Sequence, residues 1–233
     1  WGVMYSRGDC PIAGFDPSPW HPCRAPSDAR PRLVLTVAQL LGPLARYRTN
    51  EAVVTTMSVV RPWGILSDSD LDFASADSAM GHAADLALGL ALAQPARKVV
   101  CVNGDGSMLM SLGTLATVVG SAAENFILIV CDNGEYEITG NQPVAAAGRL
   151  DYSGVAEAVG FRVVYRFDDA RAWSTAVPEV LSVKGPTFVH VITEPGTQGP
   201  IGRSPAEPAR YLQHSLSDWS KIMRTALLES PEY

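Results

Sequence analysis

The sequence predicts an α/β fold: a doubly wound, mostly parallel sheet with helices on both faces. Three observations predict it. Short continuous aliphatic runs, "KVVCVN" (98–103), "NFILIVCD" (125–132) and "TFVHVIT" (187–193), read as strands buried on both sides. Stretches of helical pattern separate them, so successive strands cross over and run parallel. The run at 98–103 passes directly into "GDGS", an acid between two glycines where a strand should give way to a helix.

Taken in order, residues 1–31 carry six prolines with almost no periodic pattern and are expected to form an irregular arm. Residues 32–233 are expected to form one domain with a helical tail. "LTVAQLLGPLARYR" (35–48) is helical with Thr36 as its cap, and Gly42-Pro43 should break or kink it. "AVVTTMSVV" (52–60) reads as a strand. "SAMGHAADLALGLALAQ" (78–94) is a helix, apolar nearly all round and therefore expected to be buried. After the strand at 98–103, "SMLMSLGTLATVVGSA" (107–122) reads as one helix, followed by the strand at 125–132. Then "DYSGVAEAVG" (151–160), "RVVYRF" (162–167), "DARAWSTAVPEVLSV" (169–183) and the strand at 187–193 alternate helix, strand, helix, strand. "SDWSKIMRTALLE" (217–229) forms the helical tail. "SPAE" (204–207) fits a capping box.

Composition narrows the function classes. The chain has 233 residues, 47% hydrophobic and 18% charged, enough to bury a core. A formal charge of −6 with scattered Lys and Arg argues against a nucleic-acid partner. No apolar run approaches the length of a membrane span, and "WGVMYSRGDC" lacks the pattern of a signal peptide. Cys101 and Cys131 fall inside strands as small hydrophobes, and Cys10 and Cys23 lack metal spacing, so a cytoplasmic setting is expected.

The acid at the strand tip needs a physical reason. Ligands of such sheets bind beyond the carboxyl ends of the strands. A dinucleotide turn is disfavoured, because the third glycine of G-x-G-x-x-G would fall at Leu109. Asp105 would also repel a bare pyrophosphate unless a divalent cation sat between them. Residues 107–131 then span a helix of about 14 residues, running back roughly 21 Å. A strand of about six residues returns roughly 20 Å, so Asn133 arrives at the same edge. Magnesium, which takes oxygen ligands together with substrate phosphates, suits the pair.

"GDGS" followed after 25 residues by "DNGEYEITGNQ" resembles the signature of thiamin-diphosphate-dependent enzymes, in their diphosphate-binding domain. Within that family the likeness is closest to the sulfopyruvate and phosphonopyruvate decarboxylases, over roughly residues 33–215. The resemblance implies that Asp105, Asn133 and the main-chain carbonyl of Glu135 hold magnesium. Gly104, Gly106 and Ser107 would then line the diphosphate, with Tyr136, Glu137 and Ile138 beside the cofactor. "SAMGHAADLALGLALA" resembles the segment against the aminopyrimidine, with Ser78, Ala79 and Met80 as cofactor contacts and Met80 as an apolar wedge. Asn141 stands where relatives carry a second glycine, and "SAMG" where "GSMG" is usual, which leaves the substrate open.

The resemblance further implies decarboxylation of a small 2-oxo acid, with His82, Thr139 and Gln142 as the candidate catalytic groups. Thr139 falls where many relatives carry a glutamate. Arg203, in "TQGPIGRSP", could grip a sulfonate, phosphonate or carboxylate if its loop folds over the pocket, against the alternative of a surface arginine. His190 is read as structural. The family's pyrimidine-binding glutamate has no counterpart here, since Glu51 alone precedes Glu124. A partner chain of a hetero-oligomer is therefore expected to supply it. A thiamin-dependent carboligase subunit and a non-catalytic binding subunit remain as alternatives.

Overall fold

A computed structural model describes residues 34–74 and 80–229. The Pro-rich arm expected at 1–31, Cys10, Cys23, Ser78 and Ala79 lie outside the described residues.

Helix α1 (Val37–Tyr47) opens on a capping box in which Thr36 and Gln39 satisfy each other's backbone N–H groups. It runs through Pro43 as one helix, so the break that the sequence allowed for is absent. An interior proline costs roughly 3 kcal/mol, and burial of Leu40, Leu41 and Leu44 on one stripe offsets that cost. Strand β1 (Ala52–Thr55) ends well short of the expected run to Val60. Met57 adopts φ +52°, which turns the chain into a short 3₁₀ segment (Met57–Val59) and then α2 (Val60–Leu66). Strand β2 (Asp72–Ala74) follows. Helix α3 (Ala83–Ala93) buries Ala83, Ala84, Ala87, Leu88 and Ala91 but leaves Leu86 and Leu92 exposed, so it is not buried all round.

Strand β3 (Val99–Gly104) leads into α4 (Asp105–Met110). The single helix expected over 107–122 is two, α4 and α5 (Thr114–Ser121), separated at residues 111–113. Thr114 Oγ1 donates to Asp85 Oδ1 at 2.6 Å, which fixes the start of α5 on α3. Strand β4 (Phe126–Asp132), a two-residue pair β5 (Glu135–Tyr136) and β6 (Gln142–Pro143), and α6 (Tyr152–Val159) come next. Then come β7 (Val163–Phe167), α7 (Ala170–Ser182), β8 (Thr187–Ile192) and α8 (Leu216–Glu229). The expected capping box at 204–207 is a turn instead. Ser204 Oγ accepts from Ala206 N–H, and the Glu207 carboxylate pairs with Arg61 at 2.8 Å.

Six strands form one parallel sheet in the order β2-β1-β3-β4-β8-β7, and β5 and β6 form a separate antiparallel pair. Alternate residues of each strand face opposite layers. Val100, Val102, Ile127 and Ile129 meet α1, α2 and α7, whereas Val99, Cys101, Leu128 and Val130 meet α3, α5 and α6. Helices thus cover both faces, as a parallel sheet requires. None of the described helices is long and apolar enough to cross a membrane.

Candidate functional site

Strand order fixes where a ligand can enter. From β1 the chain steps outward to β2, then returns past β1 to β3 and on to β4. Direction therefore reverses between β1 and β3, and at such a point the loops diverge and leave a crevice beyond the strand ends. A cleft lies there. The segment after β1 supplies Met57 and Ser58, and the turn after β3 supplies Gly104, Asp105, Gly106 and Ser107. Cys131, Asn133 and the run from Glu135 to Thr139 close the far wall, and Met80 lines it from the segment before α3.

Asp105 is buried at the head of α4, and its Oδ2 accepts from the Gly134 N–H at 3.0 Å. That bond ties the β3 turn to the β4 turn, as the spacing in the sequence anticipates. Burial first, and then the neighbouring Asp132 charge, push the Asp105 carboxyl up to about 7. Asp132 in turn lies 2.9 Å from Nε2 of the buried His190. The Tyr152 hydroxyl donates to the Asp105 carbonyl at 2.9 Å. Asn133 Oδ1 accepts from the Glu135 N–H at 3.0 Å, while its Nδ2 donates to Glu137 Oε2 at 3.1 Å.

The glycines have separate reasons. A Cβ on Gly106 would lie 2.3 Å from the Tyr136 ring, so that position is small to admit protein. A Cβ on Gly104 would meet nothing within 4 Å, so open space faces the turn there. Ser107 Oγ accepts from the Gly81 N–H at 3.0 Å, which leaves its own O–H to donate elsewhere. Asn141 takes φ +59°, the left-handed conformation that glycine and asparagine tolerate best, and its Nδ2 donates to Glu135 Oε2 and the Gly196 carbonyl. Its difference from glycine is therefore met by backbone geometry.

The fit of a diphosphate and a metal can be judged from the lining. No Lys, Arg or His is among the described lining residues, while Asp105, Glu135 and Glu137 are, with Asp132 beside Asp105. A bare diphosphate would be repelled. A hard divalent cation would find the oxygen donors it prefers in Asp105, Asn133 and main-chain carbonyls. Among the described residues no group of three or more His, Cys, Asp or Glu could hold a metal unaided, so an anion would have to complete the shell. The residues fit a magnesium diphosphate.

Other expected groups divide. Thr139 lines the cleft, and its Oγ1 lies 2.9 Å from Gln142 Oε1. Gln142 is exposed and outside the lining. His82 also lies outside it, with an exposed side chain 3.0 Å from Asp85. Arg203 is not among the described lining residues; it donates to the carbonyls of Tyr211 and His214. Met57 and Ser58 were not legible in the sequence, because "MSVV" continues a strand-like run and only the positive φ at Met57 marks the turn.

Comparison with known proteins gives the cleft relatives. Residues 57–191 match the family described as thiamine pyrophosphate enzyme, C-terminal TPP binding domain. A phosphonopyruvate decarboxylase of Streptomyces hygroscopicus is 36% identical over 203 residues, which is 85% of this chain and 49% of that protein. A sulfopyruvate decarboxylase subunit beta of Methanothermobacter thermautotrophicus is 41% identical over 117 residues, 50% of this chain and 60% of that one. The chain spans about half the length of these phosphonopyruvate decarboxylase relatives. Among solved structures, a Rhodococcus jostii RHA1 thiamine diphosphate-dependent 4-hydroxybenzoylformate decarboxylase superposes with a TM-score of 0.57. It is 22% identical and covers 71% of this chain and 34% of its own, a likeness of fold.

Proposed function

The chain belongs to the thiamine pyrophosphate enzymes, as their C-terminal TPP-binding domain, and from that premise we propose that it is the diphosphate-binding half of a split 2-oxo acid decarboxylase. The observation that carries this reading is the meeting of Asp105 and Asn133 in one cleft at the switch of strand order. Asp105, the Asn133 amide oxygen and the Glu135 carbonyl would hold magnesium. The Ser107 hydroxyl, beside the open space at Gly104, would donate to the diphosphate. Met80 would support the cofactor from the neighbouring wall, with Ser78 and Ala79 as the pyrimidine-side contacts, and Tyr136 and Ile138 would wall the other side.

Bound thiamin diphosphate supplies the electron sink that lets a 2-oxo acid lose carbon dioxide. This chain's residues hold the cofactor and exclude water. The Thr139 hydroxyl, donating to Gln142 Oε1, would leave its oxygen to accept a hydrogen bond in the cleft, and the acid–base work would come from elsewhere. His82, exposed beside Asp85 and outside the described lining, would meet substrate only in an assembled site. Residues 32–233 act as the diphosphate-binding domain, and a pyrimidine-binding chain supplies the activating carboxylate in a hetero-oligomer. The relatives named as subunit beta support that division. The substrate class is a 2-oxo acid bearing a phosphonate or sulfonate, and the setting is the cytoplasm.

The test pairs this chain with a coexpressed pyrimidine-binding chain, thiamin diphosphate and magnesium, and offers 3-phosphonopyruvate or 3-sulfopyruvate. Carbon dioxide should be released only when both chains are present, and the Asp105→Ala variant should release none. Condensation with an added aldehyde in place of simple release would instead favour a carboligase. Cofactor binding without turnover of any 2-oxo acid would favour a non-catalytic subunit.

A further inference from the structure

Glu137 is a buried acid at the start of the 3₁₀ segment Glu137–Thr139, and it accepts two hydrogen bonds from unrelated parts of the chain. Asn133 Nδ2 donates to its Oε2 at 3.1 Å, and the Gln198 main-chain N–H donates to its Oε1 at 2.8 Å. The loop after β8 lies so close that a Cβ on Gly196 would stand 2.5 Å from Oε1. The same loop is held a second time, where Asn141 Nδ2 donates to the Gly196 carbonyl at 3.1 Å.

We propose that Glu137 is a positioning residue: an acceptor-only strut that fixes which end of the Asn133 amide faces the metal and anchors the Gly196–Gln198 loop to the site. The inference rests on the magnesium reading above. An amide side chain can turn either its oxygen or its NH2 group toward a cation, and only the oxygen can coordinate one. A carboxylate facing Nδ2 acts with the Glu135 N–H, which donates to Oδ1, to hold one orientation of the amide, and the second lone pair of Oδ1 is left for the metal. No other side chain of that size accepts at both ends. With glutamine at 137, one end becomes a donor. Either it faces Asn133 and asks that amide to flip, or it faces the Gln198 N–H and the loop is released. Groups that orient a metal ligand in this way typically change metal affinity by 10–100-fold when altered.

The test titrates magnesium at fixed thiamin diphosphate and follows cofactor binding in the full chain with its pyrimidine-binding partner. Glu137→Gln should raise the magnesium concentration for half-maximal binding by about tenfold or more, with full binding recovered at high magnesium. Gly196→Ala, which pushes the carboxylate from the loop side without touching the metal turn, should shift it in the same direction. Amide exchange at Gln198, read without cofactor or metal, should quicken in Glu137→Gln. A variant that loses cofactor binding equally at every magnesium concentration, or keeps the wild-type midpoint, overturns the inference while the magnesium reading stands. No magnesium dependence in wild type overturns both. Unchanged Gln198 exchange removes the loop half of the proposal.

Discussion

At the scale of single residues, Asp105 is where cost and function meet. Its carboxyl is raised to about 7 by burial and by Asp132, so in protein stripped of divalent cations its ionisation opposes folding. A raised acid contributes stability that is fully present below the unfolded value near 4 and is lost as pH rises through about 7. Relative to wild type, Asp105→Asn should therefore gain stability between pH 4 and pH 8, by an amount on the order of a few kcal/mol. Denaturant melts of the two metal-free proteins across that range check it, and parallel profiles would contradict it. Gly106→Ala is expected to displace the Tyr136 ring and weaken cofactor binding more than it lowers stability, readable by calorimetry beside thermal melts. Asn141→Gly keeps the left-handed φ but loses the bonds to Glu135 and Gly196 and should cost under about 1 kcal/mol, whereas Asn141→Val should cost about 1–2 kcal/mol more. Asp105 and Asn133 were legible in the sequence because chain reach alone brings them to one sheet edge. Met57 was not, because nothing in "TTMSVV" signals a positive φ.

At the scale of elements, β2 is held to β1 and α1 by charge as much as by apolar packing. Arg48 and Asp72 pair at 2.6 Å with both side chains buried, and Ser67 Oγ donates to the same carboxylate. Burial is the first cause of both their shifts, upward for Asp72 and downward for Arg48, so the pair survives only because each satisfies the other. Arg48→Met should leave Asp72 buried and unpaired and cost about 3–5 kcal/mol, measured by chemical denaturation. Loss under 1 kcal/mol would show that the edge strand rests on packing alone. Helix starts were legible where a cap is local, at Thr36, and Asp169 caps α7 in the same way. The division of 107–122 was not, because the apolar spacing continues across Ser111 to Gly113 and the tie from Thr114 to Asp85 is tertiary.

At the scale of the whole molecule, the parallel sheet followed from aliphatic runs alternating with helices, but strand order did not. Periodicity states that β7 and β8 are parallel; only the packing of α6 and α7 on opposite faces sets β8 inside and β7 at the edge. That order puts the reversal between β1 and β3 and so assembles Met57, Asp105 and Asn133 around one cleft. The central claim is that this cleft holds a magnesium diphosphate through Asp105. The most direct measurement is calorimetric titration of thiamin diphosphate into the chain with its pyrimidine-binding partner, with and without magnesium, in wild type and Asp105→Ala. Binding that requires magnesium and disappears in the variant is the predicted result. Equal binding by the variant, or binding indifferent to magnesium, would contradict it.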